Sequence, residues 1–95
     1  MGIKIYEVSH DGKTLQAAPL VLNGHRMVLV TYAENGATDT YWMVHGGRVV
    51  NQGGTHRYVG RRDETPPIIA DIGPKLRTAI PGEWHDVLGG FLGTL

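Results

Sequence analysis

Five pairs of turn-forming residues punctuate the first two thirds of the chain at short intervals: Asp11-Gly12, Asn23-Gly24, Asn35-Gly36, Gly46-Gly47 and Gly53-Gly54. A two-residue hairpin turn of type I′ needs positive φ at both central positions, and Asn, Asp and Gly adopt it with the least strain. The stretches between the pairs are apolar or alternating and long enough for one strand each, so an antiparallel meander is the arrangement these signals specify. Strands are predicted at 2–8, 15–22, 25–33, 38–45, 48–52 and 55–61. Pro19 marks the second as an edge or bulged strand, because proline supplies no N–H to a ladder.

The pattern changes after Arg62. Thr65 ahead of Pro66-Pro67 reads as an N-cap followed by prolines that a first helical turn accepts, and Ile68, Ile69, Ile72, Leu76 and Ile80 then recur at helical spacing. Gly73-Pro74 interrupts them; proline inside a helix costs about 3 kcal/mol, which predicts two short pieces rather than one rod. Beyond Pro81-Gly82, the residues Trp84, Val87, Leu88, Phe91, Leu92 and Leu95 fall on one helical stripe. Gly89, Gly90 and Gly93 weaken that helix by up to ~1 kcal/mol each, so it is expected to form only when docked. The fold class read from the sequence is therefore α+β: an antiparallel β-meander of five to six strands with two short C-terminal helices packed on one face. It forms a single domain over 1–95, the meander in 1–62 and the helical segment in 63–95.

At 95 residues and 41% apolar content the chain builds one core and no second one. A core this small buries only about 60–65% of the unfolded surface, which favours association with a partner or a second copy. With no cysteine, disulfides and thiolate metal sites are excluded. No basic segment followed by an apolar stretch opens the sequence, and no apolar run approaches the ~20 residues that span a bilayer. A cytoplasmic protein with no membrane contact is the expectation, in host cytoplasm or virion if the chain derives from a phage.

The register predicted from the glycine pairs sorts side chains onto two faces. With two-residue loops at Gly46-Gly47 and Gly53-Gly54, one face carries Tyr41, Met43, His45, Arg48, Val50, Gln52, Arg57, Val59 and Arg61, and the other carries Trp42, Val44, Val49, Asn51, His56 and Tyr58. A two-residue turn at Asn35-Gly36 adds Val28, Val30 and Tyr32 to the first face and Met27, Leu29 and Thr31 to the second. Two short helices cover only one face, here assigned to the Trp42 side. The other becomes an apolar centre with a cationic rim, the composition of a protein-binding surface, and its expected partner-binding residues are Tyr32, Tyr41, Met43, His45, Arg48, Arg57, Arg61 and Arg62. A sheet curled into a barrel would bury both sets instead, and a one-residue slip would exchange the faces.

Net charge is zero, but it is unevenly placed: residues 41–62 hold Arg48, Arg57, Arg61 and Arg62 and no carboxylate. Such a stretch either focuses positive potential on one patch or guards a strand edge from aggregation. Motifs for chemistry are missing. Ser9-His10-Asp11 is consecutive on a strand, where neighbours point to opposite faces, and a triad is assembled from separated segments. Gly12-Lys13-Thr14 lacks the upstream glycine and helix of a phosphate loop. The five histidines, at 10, 25, 45, 56 and 85, show no i, i+3 or i+4 pair, so no metal or other cofactor is expected. His85-Asp86 and Asp63-Glu64 are explained by helix starts, where negative charge is favourable.

The functional expectation is a small non-catalytic interaction protein with a protein or nucleoprotein partner, or a second copy of itself. Cysteine-free, motif-free chains of this size are typical of phage and mobile-element accessory proteins that inhibit, or complete, a larger nucleoprotein or virion assembly. The alternative is a single-stranded nucleic-acid-binding module in which Tyr41, Tyr58 and His45 stack bases and the arginines follow the backbone. A pI of about 7.0 and the acidic C-terminal third weigh against a long polyanion.

Overall fold

The computed structural model describes residues 3–58 and 64–93. Five strands, β1 (Tyr6–His10), β2 (Lys13–Leu22), β3 (His25–Glu34), β4 (Ala37–His45) and β5 (Arg48–Gly54), form one antiparallel sheet in sequence order. β1 and β5 are its two edges and do not pair with each other, so the sheet stays open. The four turns between strands have positive φ at both central residues: 49° and 77° at Asp11-Gly12, 52° and 80° at Asn23-Gly24, 51° and 85° at Asn35-Gly36, and 58° and 76° at Gly46-Gly47. These are the dihedrals for which the residue pairs were suited. Pro19 lies where β2 has run past the end of β1, whose last partner is Ala17, so there it borders only β3.

Gly53-Gly54 is not a fifth turn. β5 continues through both glycines, and residues 55–58 then leave the sheet without forming a strand, while 59–61 of the predicted sixth strand lie outside the described residues. Close approach accounts for these glycines: a Cβ on Gly53 would sit 2.6 Å from the Tyr41 ring. At Gly54, with φ of 105°, a Cβ would overlap the Asp39 carbonyl.

Two irregularities change the predicted register. Tyr32 pairs with Thr40 and Ala33 with Thr38, which leaves Asp39 as an extra residue on β4, and Met43 pairs with Asn51 and Val44 with Val49, which leaves Val50 extra on β5. Each bulge moves everything beyond it to the opposite face. Val28, Val30 and Tyr32 therefore share the Trp42 and Val44 side, and Met27, Leu29 and Thr31 lie on the Met43 side, the reverse of the prediction. Gln52 and Asn51 exchange sides for the same reason.

The C-terminal segment covers the Trp42 side. It consists of a 3-10 turn (Pro67–Ile69), helix α1 (Gly73–Ala79), a second 3-10 turn (Gly82–Trp84) and helix α2 (His85–Leu88). The Gly73-Pro74 interruption becomes the start of α1, where a proline without N–H is harmless. Thr65 does not cap: Pro66 holds that position, and the Thr65 hydroxyl donates to the Gly90 carbonyl at 3.0 Å. The last of the predicted short helices stops at Leu88, because Gly89 turns to φ of 56°. Its apolar stripe still packs inward: Ile69, Ile72, Leu76, Ile80, Val87, Leu88, Phe91 and Leu92 meet Leu15, Ala17, Val28, Val30, Tyr32, Trp42 and Val44 in one buried cluster. Phe91 meets Trp42 edge-on at 5.5 Å between centroids.

Polar contacts fix this layer. Arg26 stacks on Trp84, 4.6 Å from the ring centre, pairs with Asp86 at 3.0 Å and donates to the Glu83 carbonyl. His85 donates from Nε2 to the carbonyls of Arg77 and Ile80, at 2.9 and 3.2 Å, which ties α1 to α2. That is a structural occupation for a histidine the sequence already read as such.

Candidate functional site

With the helices on one side, the other side of the sheet has no protein layer over it among the described residues. Register places Leu20 opposite Met27, and a row of Ala18, Leu29, Met43 and Asn51 across β2 to β5, with Gln16, Thr31, Tyr41 and Gly53 in the next row. Leu20, Met27, Leu29 and Met43 are half-buried and Tyr41 is exposed, so the middle of the face is an apolar band partly open to solvent. Toward the β3–β4 turn it becomes polar, in a shallow depression lined by Thr14, Gln16, Thr31, Ala33, Gly36 and Thr38. Toward the opposite end lie His25, His45 and Arg48, and the His25 and His45 rings meet edge-on at 5.5 Å. His45 donates from Nδ1 to the Arg26 carbonyl at 2.8 Å, which fixes its ring.

The expected partner-binding residues are only partly brought together. Tyr41, Met43, His45 and Arg48 share the uncovered face. Tyr32 does not: it is fully buried under the helices, a correction that follows from the Asp39 bulge. Arg57 is exposed beside β5, where it lines a groove between residues 55–58 and 64–68 and a smaller depression with Val49, Val50, Asn51 and Gln52, at the β5 end of the Met43 row. Arg61 and Arg62 lie outside the described residues. Leu20, Met27 and Leu29 belong to the face and were missed, since only the bulge puts them there.

A second concentration of functional groups sits at the other end of the covered side. Here Glu34 at the end of β3, Asp39 in the β4 bulge and His56 beyond β5 bring one ligand-type atom each within 4.8 Å of one another. His56 Nε2 is 3.6 Å from Asp39 Oδ2. The backbone holds His56 there, because Thr55 N donates to the Asp39 carbonyl at 3.1 Å and His56 N to Thr40 Oγ1 at 3.0 Å. Tyr32 donates its hydroxyl to Glu34 Oε1 at 3.0 Å, and Thr40 donates to Asp39 Oδ1. Burial, and after it the hydrogen bond to Glu34, pushes the Tyr32 hydroxyl up from 10.0 to about 12, so it remains a donor.

The Ser9-His10-Asp11 string makes no relay: Ser9 Oγ pairs with Thr14 Oγ1 at 3.1 Å across the hairpin, while His10 faces Asp11 at 3.1 Å. No helix is long and apolar enough to cross a membrane among the described residues. Comparison of the chain with protein-family models, curated proteins and solved structures finds no match.

Proposed function

We propose that the chain is a non-catalytic accessory protein that inhibits or completes a larger assembly by laying its uncovered sheet face against a partner protein whose apolar surface is bordered by carboxylates. The observation that supports this reading is how the face is composed. Leu20, Met27, Leu29 and Met43 occupy its middle, and the ionisable groups beside them on β3 to β5 are His25, His45 and Arg48. The carboxylates Glu34, Asp39, Asp71 and Glu83 belong to the helix side, and Asp86, paired with Arg26, shares a depression with His25 and His45 at the sheet's end. Glu7 sits on the β1 flank of the open face and accepts from Gln16 at 2.6 Å. An apolar centre bordered at one end by two imidazoles and a guanidinium favours a partner that offers carboxylates at that end, through orientation and encounter rate more than through raw affinity.

Nucleic acid is the less favoured occupant. Single-strand binders stack successive bases on several aromatic rings. Of the tyrosines expected for that role, Tyr41 alone is on the open face, and Tyr58 turns toward Phe91 at 6.0 Å.

Selection of the folded protein against a random-peptide display library tests the proposal. The expected winners carry aliphatic or aromatic residues flanked by Asp or Glu, and lose at least tenfold in affinity to Met43→Glu and to Arg48→Glu. Winners without acidic flanks, or insensitive to both substitutions, would overturn it. So would a dimer in sedimentation that Met43→Glu dissociates, which gives the face to a second copy, or oligothymidine binding abolished by Arg48→Glu, which gives it to nucleic acid.

A further inference from the structure

We propose that Glu34, Asp39 and His56 form a binding site for one divalent transition-metal ion of the zinc and manganese class. The inference is independent of the sheet face, which lies on the other side of the sheet.

The three residues come from three separate stretches of backbone, yet their ligand-type atoms converge to within 4.8 Å. The spacing suits a shared ion as well as a direct ion pair. His56 Nε2 and Asp39 Oδ2, 3.6 Å apart, are beyond a good hydrogen bond. Two ligands on one ion at about 2.0–2.1 Å in tetrahedral geometry stand roughly 3.4 Å from each other, close to the spacing found here. Glu34, exposed at the end of its strand, brings the third ligand-type atom within 4.8 Å of the other two.

Charge points the same way. Neither Glu34 nor Asp39 is ion-paired to a Lys or Arg among the described residues, and Lys13, the cation that pairs with Glu34 in the ladder, is drawn to Asp71 at 3.6 Å. Two carboxylates therefore share a small space with an imidazole as their only counter-group, an arrangement that a dication relieves. One oxygen of each carboxylate is already held, Glu34 Oε1 by the Tyr32 hydroxyl and Asp39 Oδ1 by Thr40, and Asp39 Oδ2 faces His56. Such outer hydrogen bonds orient ligands in metal sites.

The donor set chooses the ion. One imidazole and two carboxylates suit zinc, manganese, cobalt or nickel; calcium and magnesium prefer oxygen alone, and copper(I) prefers sulfur. Three protein ligands leave a position for water.

Calorimetric titration of the full chain with Zn²⁺ tests the site, with Mg²⁺ as the control ion and Co²⁺ as a visible-absorption reporter of the ligands. One equivalent of Zn²⁺ is expected, with no response to Mg²⁺ and at least tenfold weaker binding in His56→Gln and in Glu34→Gln. Because Glu34 is exposed, its variant keeps its fold, which circular dichroism checks. His45→Gln is expected to bind Zn²⁺ as the unaltered protein does. Absence of Zn²⁺ binding, equal binding of Mg²⁺, or unchanged affinity in both Glu34→Gln and His56→Gln would overturn the proposal. Loss of binding in His45→Gln would overturn it as well, by placing the ion at the His25 and His45 pair.

Discussion

Asp39 is one residue more than its partner strand has room for, and because side chains alternate along a strand, that one insertion decides which way all of β3 faces relative to β4. The bulge has a visible partner in Gly54. The chain leaving β5 passes so close to the Asp39 backbone that only glycine fits, and Thr55 N then binds the Asp39 carbonyl at 3.1 Å. Gly54→Ala, at a φ of 105°, is expected to destabilise the protein by more than ~1 kcal/mol through both strain and overlap. Gly24→Ala provides the comparison, since its φ is 80° but nothing lies within 4 Å of its Cβ position, leaving only the left-handed penalty of about 1–2 kcal/mol. Urea denaturation of the two variants should rank Gly54→Ala as the worse.

Among the elements, β4 carries the division between the two sides of the sheet. Trp42 and Val44 are fully buried against the helices, while Met43 between them is half-buried on the other, uncovered side. Val44→Glu would bury an unpaired carboxylate in an apolar cluster and is expected to abolish folding, as such burial costs several kcal/mol. Met43→Glu is expected to shift stability by less than about 1 kcal/mol in the isolated protein, because a surface position has nothing comparable to lose. Thermal unfolding followed by circular dichroism compares them; equal damage would mean that both faces are covered. The turns at the ends of these strands were legible in the sequence because type I′ geometry asks for particular residues. The bulges were not, because Asp39 and Val50 have no local signal: an extra residue is visible only once its partner strand is known.

For the whole molecule, the C-terminal third is a lid more than a helix pair. Among the described residues only α1 and α2, of seven and four residues, are helical beyond a 3-10 turn, too short to be stable alone. They hold because Val87, Leu88, Phe91 and Leu92 fill the sheet, and because Gly47 N binds the Val87 carbonyl at 2.9 Å. A chain ending at Pro81 is expected to lose its cooperative unfolding transition in differential scanning calorimetry, since it exposes Trp42 and the sheet around it. A retained transition would show the meander to be self-sufficient. The sequence by itself determined the meander, its order and the apolar stripe of the tail, because turn chemistry and periodicity are local properties. Tertiary structure alone decided that Val28, Val30 and Tyr32 go inward, that Leu20, Met27 and Leu29 stay out, and that Glu34, Asp39 and His56 meet. Each depends on where a bulge falls or how closely one strand passes another, and backbone contacts between residues distant in sequence settle both.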